Sequence, residues 1–219
     1  NDKRYMSVNS IFKNGQYLNL EWDFGELTYN IMPLDYETYE SSGTQLCAVT
    51  TNAKTGKPEY FYPKDLREFG CPVLKASCAL PIATKGAVID GEVYFDGGVS
   101  DSIPLAKAFD DGCKKAVVVL TQVRGFEKQP VKQQRTVRRV LKQYPALAEA
   151  VLNRHEMYNR QLAYVYEQEK QGNCFVIAPA ADLHCSTIER NVTKLERIYQ
   201  LGLVQGRQKA DELKAFLEK

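Results

Sequence analysis

Residues 75 to 104 read KASCALPIATKGAVIDGEVYFDGGVSDSIP, and this stretch decides the fold. The dipeptide Asp90-Gly91 separates two runs, 88–89 and 92–95, that are rich in β-branched and aromatic residues. Because both positions of the dipeptide tolerate a positive φ, the pattern predicts a β-hairpin with a two-residue turn. The hairpin leads directly into Asp96-Gly97-Gly98, which predicts a tight turn at the end of the second strand.

Strands and helices alternate on both sides of this stretch. The short apolar run 46–51, a turn and the run 59–62 together predict a strand, a turn and a second strand. After the glycine turn, residues 103–109 predict a short helix. The apolar run 115–121 (KAVVVLT) then predicts a strand that is covered on both faces. Alternation of this kind indicates a layered α/β core.

From residue 131 onward the hydrophobic period becomes helical. Apolar residues at 137, 140, 141 and 144 follow the spacing of one helix face. Pro145 ends that helix and begins a longer one, which stops at Gly172. Beyond about residue 193 the chain predicts a final helix that is broken near Gly202 and Gly206.

One more apolar run, CFVIA at 174–178, predicts a strand that returns to the core. We therefore divide the chain into two parts. Residues 1–125 form the first domain, which bears the Asp-Gly-Gly turn. Residues 126–219 form a helical C-terminal part with one returning strand.

The distribution of charge is uneven. The formal net charge of +2 gives no general argument for nucleic-acid binding, and no nucleic acid is predicted as a partner. Residues 1–46 carry three basic and seven acidic side chains, whereas residues 126–160 carry eight basic and three acidic ones. Five of these basic residues lie around one predicted helix: Lys132, Arg135, Arg138, Arg139 and Lys142. The pattern suits peripheral contact with anionic lipid headgroups, and it equally suits the solvated face of a docking helix.

The remaining composition argues for a reducing compartment and against a metal site. No run approaches the roughly 20 apolar residues that a membrane-spanning helix needs. The six cysteines show neither a CxxC pair nor a zinc-type spacing with histidine. Scattered thiols of this kind are typical of proteins in a reducing compartment, so we expect a cytoplasmic location. The alternative is a location at the membrane surface, with the basic helix in contact with the membrane. No metal or organic cofactor is predicted.

Neither histidine has a catalytic context. His155-Glu156 is followed by Asn159 where a zinc-binding HExxH helix needs its second histidine, so we expect His155 to be a satisfied, partly buried residue. His184 lies in a predicted loop and has no evident partner. A Ser-His-Asp mechanism is therefore not supported.

Asp96 is the best candidate for chemistry. An acidic side chain at a strand end, followed by two glycines, leaves its carboxylate projecting at the edge of the sheet, where sites form in α/β proteins. Such a carboxylate can orient or deprotonate a hydroxyl nucleophile. The alternative is that Asp96-Gly97-Gly98 is a turn and nothing more, since these are common turn residues.

The segment resembles the second half of a patatin-like acyl hydrolase domain, in its bacterial phospholipase or esterase branch. The likeness rests on the Ala-Ser helix before a proline at 76–81, the hairpin and the Asp-Gly-Gly motif. It continues through VVVLT at 117–121, FVIAP at 175–179 and LERIYQLG at 195–202. The resemblance implies a three-layer α/β/α core with a mainly parallel sheet.

The resemblance also implies an activity, the hydrolysis of lipid esters through a Ser-Asp dyad without histidine or cofactor. Asp96 would be the acid partner of a serine, and Gly97 and Gly98 would form the loop that supports this acid.

The chain departs from the family at the nucleophile. A nucleophile elbow needs GxSxG, and neither this motif nor an early glycine-rich loop for the oxyanion occurs. The nearest imitation, residues 98–102, lacks the second glycine, so Ser100 is not expected to be the nucleophile. The family's usual Asn beyond the glycines is also replaced, around Asp101-Ser102. We therefore expect the chain to need a missing N-terminal segment of the same protein, and to be inactive alone.

Two interpretations from other classes stay open. A non-catalytic module that binds a lipid surface or another protein fits both the basic helix and the missing serine. An anion-binding α/β domain could instead use the Gly97-Gly98 turn and the start of the following helix.

Overall fold

The computed structural model describes residues 3–7, 16–64, 66–67 and 71–218. Both helices and strands are present, which confirms the mixed α/β class. The strands are β1 (Ala48–Asn52), β2 (Pro58–Phe61), β3 (Ala87–Ile89), β4 (Glu92–Asp96), β5 (Ala116–Val119) and β6 (Cys174–Ile177). The helices are a π-helix (Trp22–Ile31), α1 (Tyr36–Ser41), α2 (Pro72–Ser77), a 3₁₀ turn (Gly97–Val99), α3 (Leu105–Asp110), α4 (Gln134–Val140), α5 (Pro145–Lys170) and α6 (Val192–Glu218).

The larger sheet has four strands in the order β2-β1-β4-β3, and every neighbouring pair in it is antiparallel. The prediction of a mainly parallel sheet is therefore wrong for these strands. Two short connections explain the difference, because a chain that reverses within a few residues can only pair its strands antiparallel. One of them is the predicted hairpin turn, which is confirmed: Asp90 has φ +50° and Gly91 has φ +83°.

The smaller sheet consists of β5 and β6, which pair in parallel with Val118 opposite Val176. Those two valines are buried, whereas Val117 is 40% exposed and Val119 is 69% exposed. The prediction that β5 is covered on both faces is therefore wrong for the described residues. Although the sequence of β5 is continuously apolar, the side chains on one of its faces are exposed.

Backbone contacts divide the chain into two units, each built from two separate segments. The first unit, called here the sheet unit, takes in residues 2–102 and 129–158 and contains the four-stranded sheet. The second takes in 103–128 and 159–219 and contains β5, β6 and α6. The predicted boundary at residue 125, and the patatin-like identity of the part before it, stay predictions.

The core of the sheet unit is formed by strand β4, the turn after it and two helices from later in the chain. Its buried members are Leu20, Ala53, Ala79, Phe95, Val99, Val137, Leu141, Leu147, Ala148 and Leu152. Helix α4 contributes Val137, and Leu141 follows directly at its C-terminal end, while Val140 is 49% exposed. Helix α5 contributes through its first two turns. The antiparallel hairpin is thus packed against residues that lie more than forty positions further along the chain.

The last helix is continuous where breaks are predicted. Helix α6 runs without interruption through Gly202 and Gly206, so the predicted breaks are wrong. A glycine inside a helix costs about 1 kcal/mol relative to alanine, which is too little to end a helix of this length.

Candidate functional site

Asp96 is the last residue of β4, and its main chain is held from both sides. Its N–H donates to the Ala79 carbonyl at 2.9 Å, and its carbonyl accepts the Thr51 hydroxyl at 2.8 Å. It also stands opposite Thr50 in the antiparallel pair with β1. The backbone that carries the carboxylate is therefore anchored in the centre of the sheet.

The two carboxylate oxygens of Asp96 differ. Oδ1 accepts the Gly98 N–H at 2.7 Å, which closes a turn between the side chain and the backbone two residues on. For Oδ2, no donor is found among the described residues. One oxygen therefore holds the turn while the other is left to accept a proton or a hydrogen bond.

The two glycines are required for space, for different reasons. A Cβ on Gly97 would lie 2.3 Å from the carbonyl oxygen of Val49 in β1, so the turn passes directly against a neighbouring backbone. A Cβ on Gly98 would lie 2.9 Å from Asp96 Oδ1 and 3.1 Å from Arg154 Nη2. Gly97 thus lets the turn close on the sheet, and Gly98 leaves room for the charged groups.

Burial is the main influence on the ionisation of Asp96. It raises the pKa of this carboxyl above its usual value, because a partly desolvated carboxylate is disfavoured. The Gly98 N–H and the charge of Arg154 act in the opposite direction and stabilise the carboxylate form. A raised pKa is what a carboxylate general base needs if it is to work near neutral pH.

Two further acidic groups lie near this site. Burial, together with the charges of Asp96 and Asp23, raises the pKa of the Cys78 thiol to about 11. The Cys78 thiol therefore stays protonated at neutral pH. Asp23, in the π-helix, has a pKa raised by burial.

The hydroxyl groups of the two serines after the turn form hydrogen bonds with groups other than the Asp96 carboxylate. Ser100 Oγ lies 2.7 Å from Thr51 Oγ1. The single hydroxyl proton of Thr51 is already donated to the Asp96 carbonyl. Ser100 must therefore donate to Thr51 rather than to the Asp96 carboxylate. Ser102 Oγ donates to the Gly98 carbonyl at 2.5 Å. This geometry agrees with the expectation that Ser100 is not a nucleophile.

Two neighbours of the turn have contacts that the sequence does not predict. Asp101 is buried and accepts the Tyr60 hydroxyl at 2.6 Å, so it braces the turn against β2. Arg154, in helix α5, donates from Nε to the Gly98 carbonyl at 2.5 Å. A signal for Arg154 does exist, because it is a charged residue at a position that the apolar face of α5 occupies.

The donors that an anion would need at this turn are used internally. The Gly98 N–H binds Asp96, while the amides of Ser100 and Asp101 both donate to the Gly97 carbonyl. A carboxylate already stands at the turn. The anion-binding interpretation of Gly97 and Gly98 therefore finds no support in the geometry.

The other residues considered from the sequence have no described contact with Asp96. His155 is partly buried and its Nδ1 lies 3.0 Å from the Leu152 carbonyl, so the prediction of a satisfied histidine is confirmed. The five basic residues predicted to meet lipid are all exposed: Lys132, Arg135, Arg138, Arg139 and Lys142. Of these, Arg138 forms an ion pair with Glu149 at 2.9 Å.

Comparison with known proteins shows two similarities. Residues 144–218, about a third of the chain, match a family described as a domain of unknown function (DUF6363). The chain is also 27% identical over 200 residues to "Uncharacterized protein YjjU" of Escherichia coli (strain K12), a match that covers 89% of this chain and 55% of that protein. The chain thus spans about half the length of the curated relative. Neither description states an activity.

Within the described residues, no helix is long and apolar enough to cross a membrane.

Proposed function

We propose that this chain is the acid-bearing part of a patatin-like serine acyl hydrolase, with Asp96 as the acid of a Ser-Asp dyad. The serine would come from a segment that is not in this sequence. The observation that carries the proposal is the state of the Asp96 carboxylate: Oδ1 is held by the turn at 2.7 Å and no described group donates to Oδ2. Burial also raises the pKa of this carboxyl, which suits a general base that works near neutral pH.

The proposed reaction begins at Asp96 Oδ2. This oxygen accepts the proton of the serine hydroxyl while the serine oxygen attacks the ester carbonyl carbon. The tetrahedral intermediate then collapses, the ester C–O bond breaks, and Asp96 returns the proton to the departing alcohol. Water attacks the acyl-enzyme in the second half, with Asp96 again as base, and releases the carboxylic acid and the free serine.

The proposal includes an expectation about the fold. In a three-layer α/β/α core, the parallel pair β5 and β6 would be two strands of a wider sheet. Two features support this: β5 pairs only with β6 among the described strands, and its Val117 and Val119 are exposed. An open sheet edge and an exposed apolar strand face are normally covered in a finished protein. A further strand from outside this sequence would pair with the open edge of this sheet.

The experiment compares two Asp-to-Asn variants in a protein that carries both this chain and the upstream segment. Asp96→Asn keeps the shape of the side chain but removes the base, so kcat for an aryl ester should fall by about 10²–10⁴-fold. Asp90→Asn is the matched control, because it makes the same change at an exposed turn of the same hairpin and should leave kcat unchanged. If a folded Asp96→Asn protein hydrolyses esters at the parent rate, the dyad is wrong.

A second experiment tests where the serine lies. A fluorophosphonate probe forms a covalent bond with activated serines, so it should label the longer protein and leave this chain unlabelled. If this chain is labelled and the label disappears in Ser100→Ala, then Ser100 is the nucleophile and the proposal of an upstream serine is wrong.

A non-catalytic lipid-surface module is the second candidate, and the basic helix favours it. Helix α4 docks through Val137 and Leu141, so that its arginines and Val140 face outward. Such a surface would bind anionic headgroups electrostatically. Reversing Arg135 and Arg139 to Glu should then abolish co-sedimentation with phosphatidylglycerol vesicles, while the same reversal at Arg207 and Lys214 in α6 should not. Equal binding to phosphatidylcholine vesicles would refute the electrostatic surface.

A further inference from the structure

Arg154 occupies a position where an apolar residue would be expected. It follows Leu147 and Val151 and precedes Tyr158 at the spacing of one helix face of α5. Leu147 is fully buried and Tyr158 is 8% exposed. A guanidinium among buried neighbours is retained only where it has partners, because burial of an unpaired charge is costly.

Its partners are the two ends of the Asp-Gly-Gly turn. Nε donates to the Gly98 carbonyl at 2.5 Å, and that carbonyl also accepts Ser102 Oγ. A Cβ on Gly98 would lie 3.1 Å from Nη2 and 2.9 Å from Asp96 Oδ1, so these two charged atoms are within about 6 Å of each other. Gly98 therefore links the carboxylate, through its amide, to the guanidinium, through its carbonyl.

We propose that Arg154 is a positioning residue for Asp96, whose Nε–H holds the Gly98 carbonyl so that the Gly98 amide stays on Oδ1, and whose charge favours the carboxylate. Oδ2 is thereby kept deprotonated, with no donor among the described residues. The consequence for catalysis rests on the function proposed for Asp96, but the link between the two side chains does not. Arg154 lies within residues 144–218, so the link also assigns a role to the segment that matches a domain of unknown function.

The shape of the side chain explains why it is an arginine. A planar guanidinium can direct Nε–H at a carbonyl while a terminal nitrogen stays beside a carboxylate. Lysine would supply the charge from a single point and could not keep both arrangements. Glutamine could donate to the carbonyl but would carry no charge.

A merely structural role for Arg154 would leave the titration of Asp96 unchanged. The other titratable groups near the turn are the Cys78 thiol, Asp23, Asp101 and its partner Tyr60, and none of them lies on α5. A change at Arg154 therefore alters the electric field at Asp96 without removing any of these groups.

The test is a carboxyl NMR titration of this chain labelled with ¹³C-aspartate, with the Asp96 signal assigned by its loss in Asp96→Asn. In Arg154→Gln the midpoint of Asp96 should shift upward, because a stabilising positive charge is lost. In Arg154→Lys the shift should be smaller, and hydrogen exchange of the Gly98 amide should quicken at least tenfold because the carbonyl is no longer held. Arg139→Gln, which removes an exposed charge in α4, should change neither measurement.

Two results would overturn the proposal. An unchanged Asp96 midpoint in a folded Arg154→Gln protein is one. If that variant does not fold, Arg154→Lys decides alone: parent values for both the Asp96 titration and the Gly98 exchange would reject the link.

Measurements of esterase activity distinguish a failure of the positioning role of Arg154 from a failure of the proposed function. In an ester-hydrolysing form of the protein, Arg154→Gln should lower kcat about tenfold or more with KM little changed, and move the acid limb of the pH–rate profile upward. If Asp96 responds to Arg154 in the titration but no esterase activity exists, the proposed function fails and the positioning role stands. If activity depends on Asp96 but the acid limb ignores Arg154, the positioning role fails.

Discussion

Alanine substitutions at Gly97 and Gly98 should differ strongly in their effect on stability, although the residues are adjacent. At Gly97 the new methyl group would lie 2.3 Å from the Val49 carbonyl oxygen and 2.5 Å from its carbonyl carbon, about 1 Å inside normal contact. Val49 belongs to β1, an inner strand with neighbours on both sides, so its backbone has nowhere to move. Overpacking costs about 1–3 kcal/mol and occasionally more, and a clash with fixed backbone belongs at the upper end.

At Gly98 the same methyl group would meet only the ends of two side chains, Asp96 Oδ1 and Arg154 Nη2. These can shift by a few tenths of an ångström. Alanine also lowers the conformational entropy of the unfolded chain, which stabilises the folded state by about 0.4–1 kcal/mol. We therefore expect Gly97→Ala to lower the free energy of unfolding by about 3 kcal/mol, and Gly98→Ala to change it by less than about 1 kcal/mol while impairing the site.

Urea denaturation followed by tryptophan fluorescence measures this difference. Trp22 is the only tryptophan of the chain and belongs to the sheet unit, which also contains both glycines. Equal midpoints for the two variants, or a Gly97→Ala protein as stable as the parent, would refute the close approach of the turn to β1.

Three other predictions concern stability and activity. The folded-state pKa of Asp96 is raised, so between the unfolded and folded pKa values the folded state binds more protons and this group's contribution to stability falls as pH rises. Asp96→Asn should therefore gain stability relative to the parent between pH 3 and pH 7, and urea midpoints that differ from the parent equally at both pH values would contradict the shift. This chain alone should show no hydrolysis of aryl esters or phospholipid vesicles above a heat-denatured sample; activity that survives Asp96→Asn would argue for a different catalytic group. Gly202→Ala should stabilise α6 by up to about 1 kcal/mol, measured by thermal melts in circular dichroism, since a Cβ there meets nothing within 4 Å; a lower melting temperature would mean that this position is covered.

Features set by neighbouring residues could be predicted from the sequence. The Asp90-Gly91 turn and the length of α5 from Pro145 depend on backbone preferences and on periodicity, and both are found where the pattern indicates. The same kind of local signal indicates Asp96, which stands at a strand end before two glycines. Glycines 202 and 206 show the limit of this reasoning, because local preference of about 1 kcal/mol per residue does not decide whether a long helix continues.

Tertiary structure decided what depends on residues far apart in the chain. The pairing of β1 with β4 joins positions more than forty residues apart, and no pattern within either strand states that the pair is antiparallel. The same applies to the site: Thr51 draws the proton of Ser100 away from Asp96, and Arg154 reaches Gly98 across 56 positions. Sequence by itself determined that a carboxylate and two glycines end a strand. Only the folded chain determined which oxygen is free and which charge faces it, because side-chain contacts and burial depend on where distant segments meet.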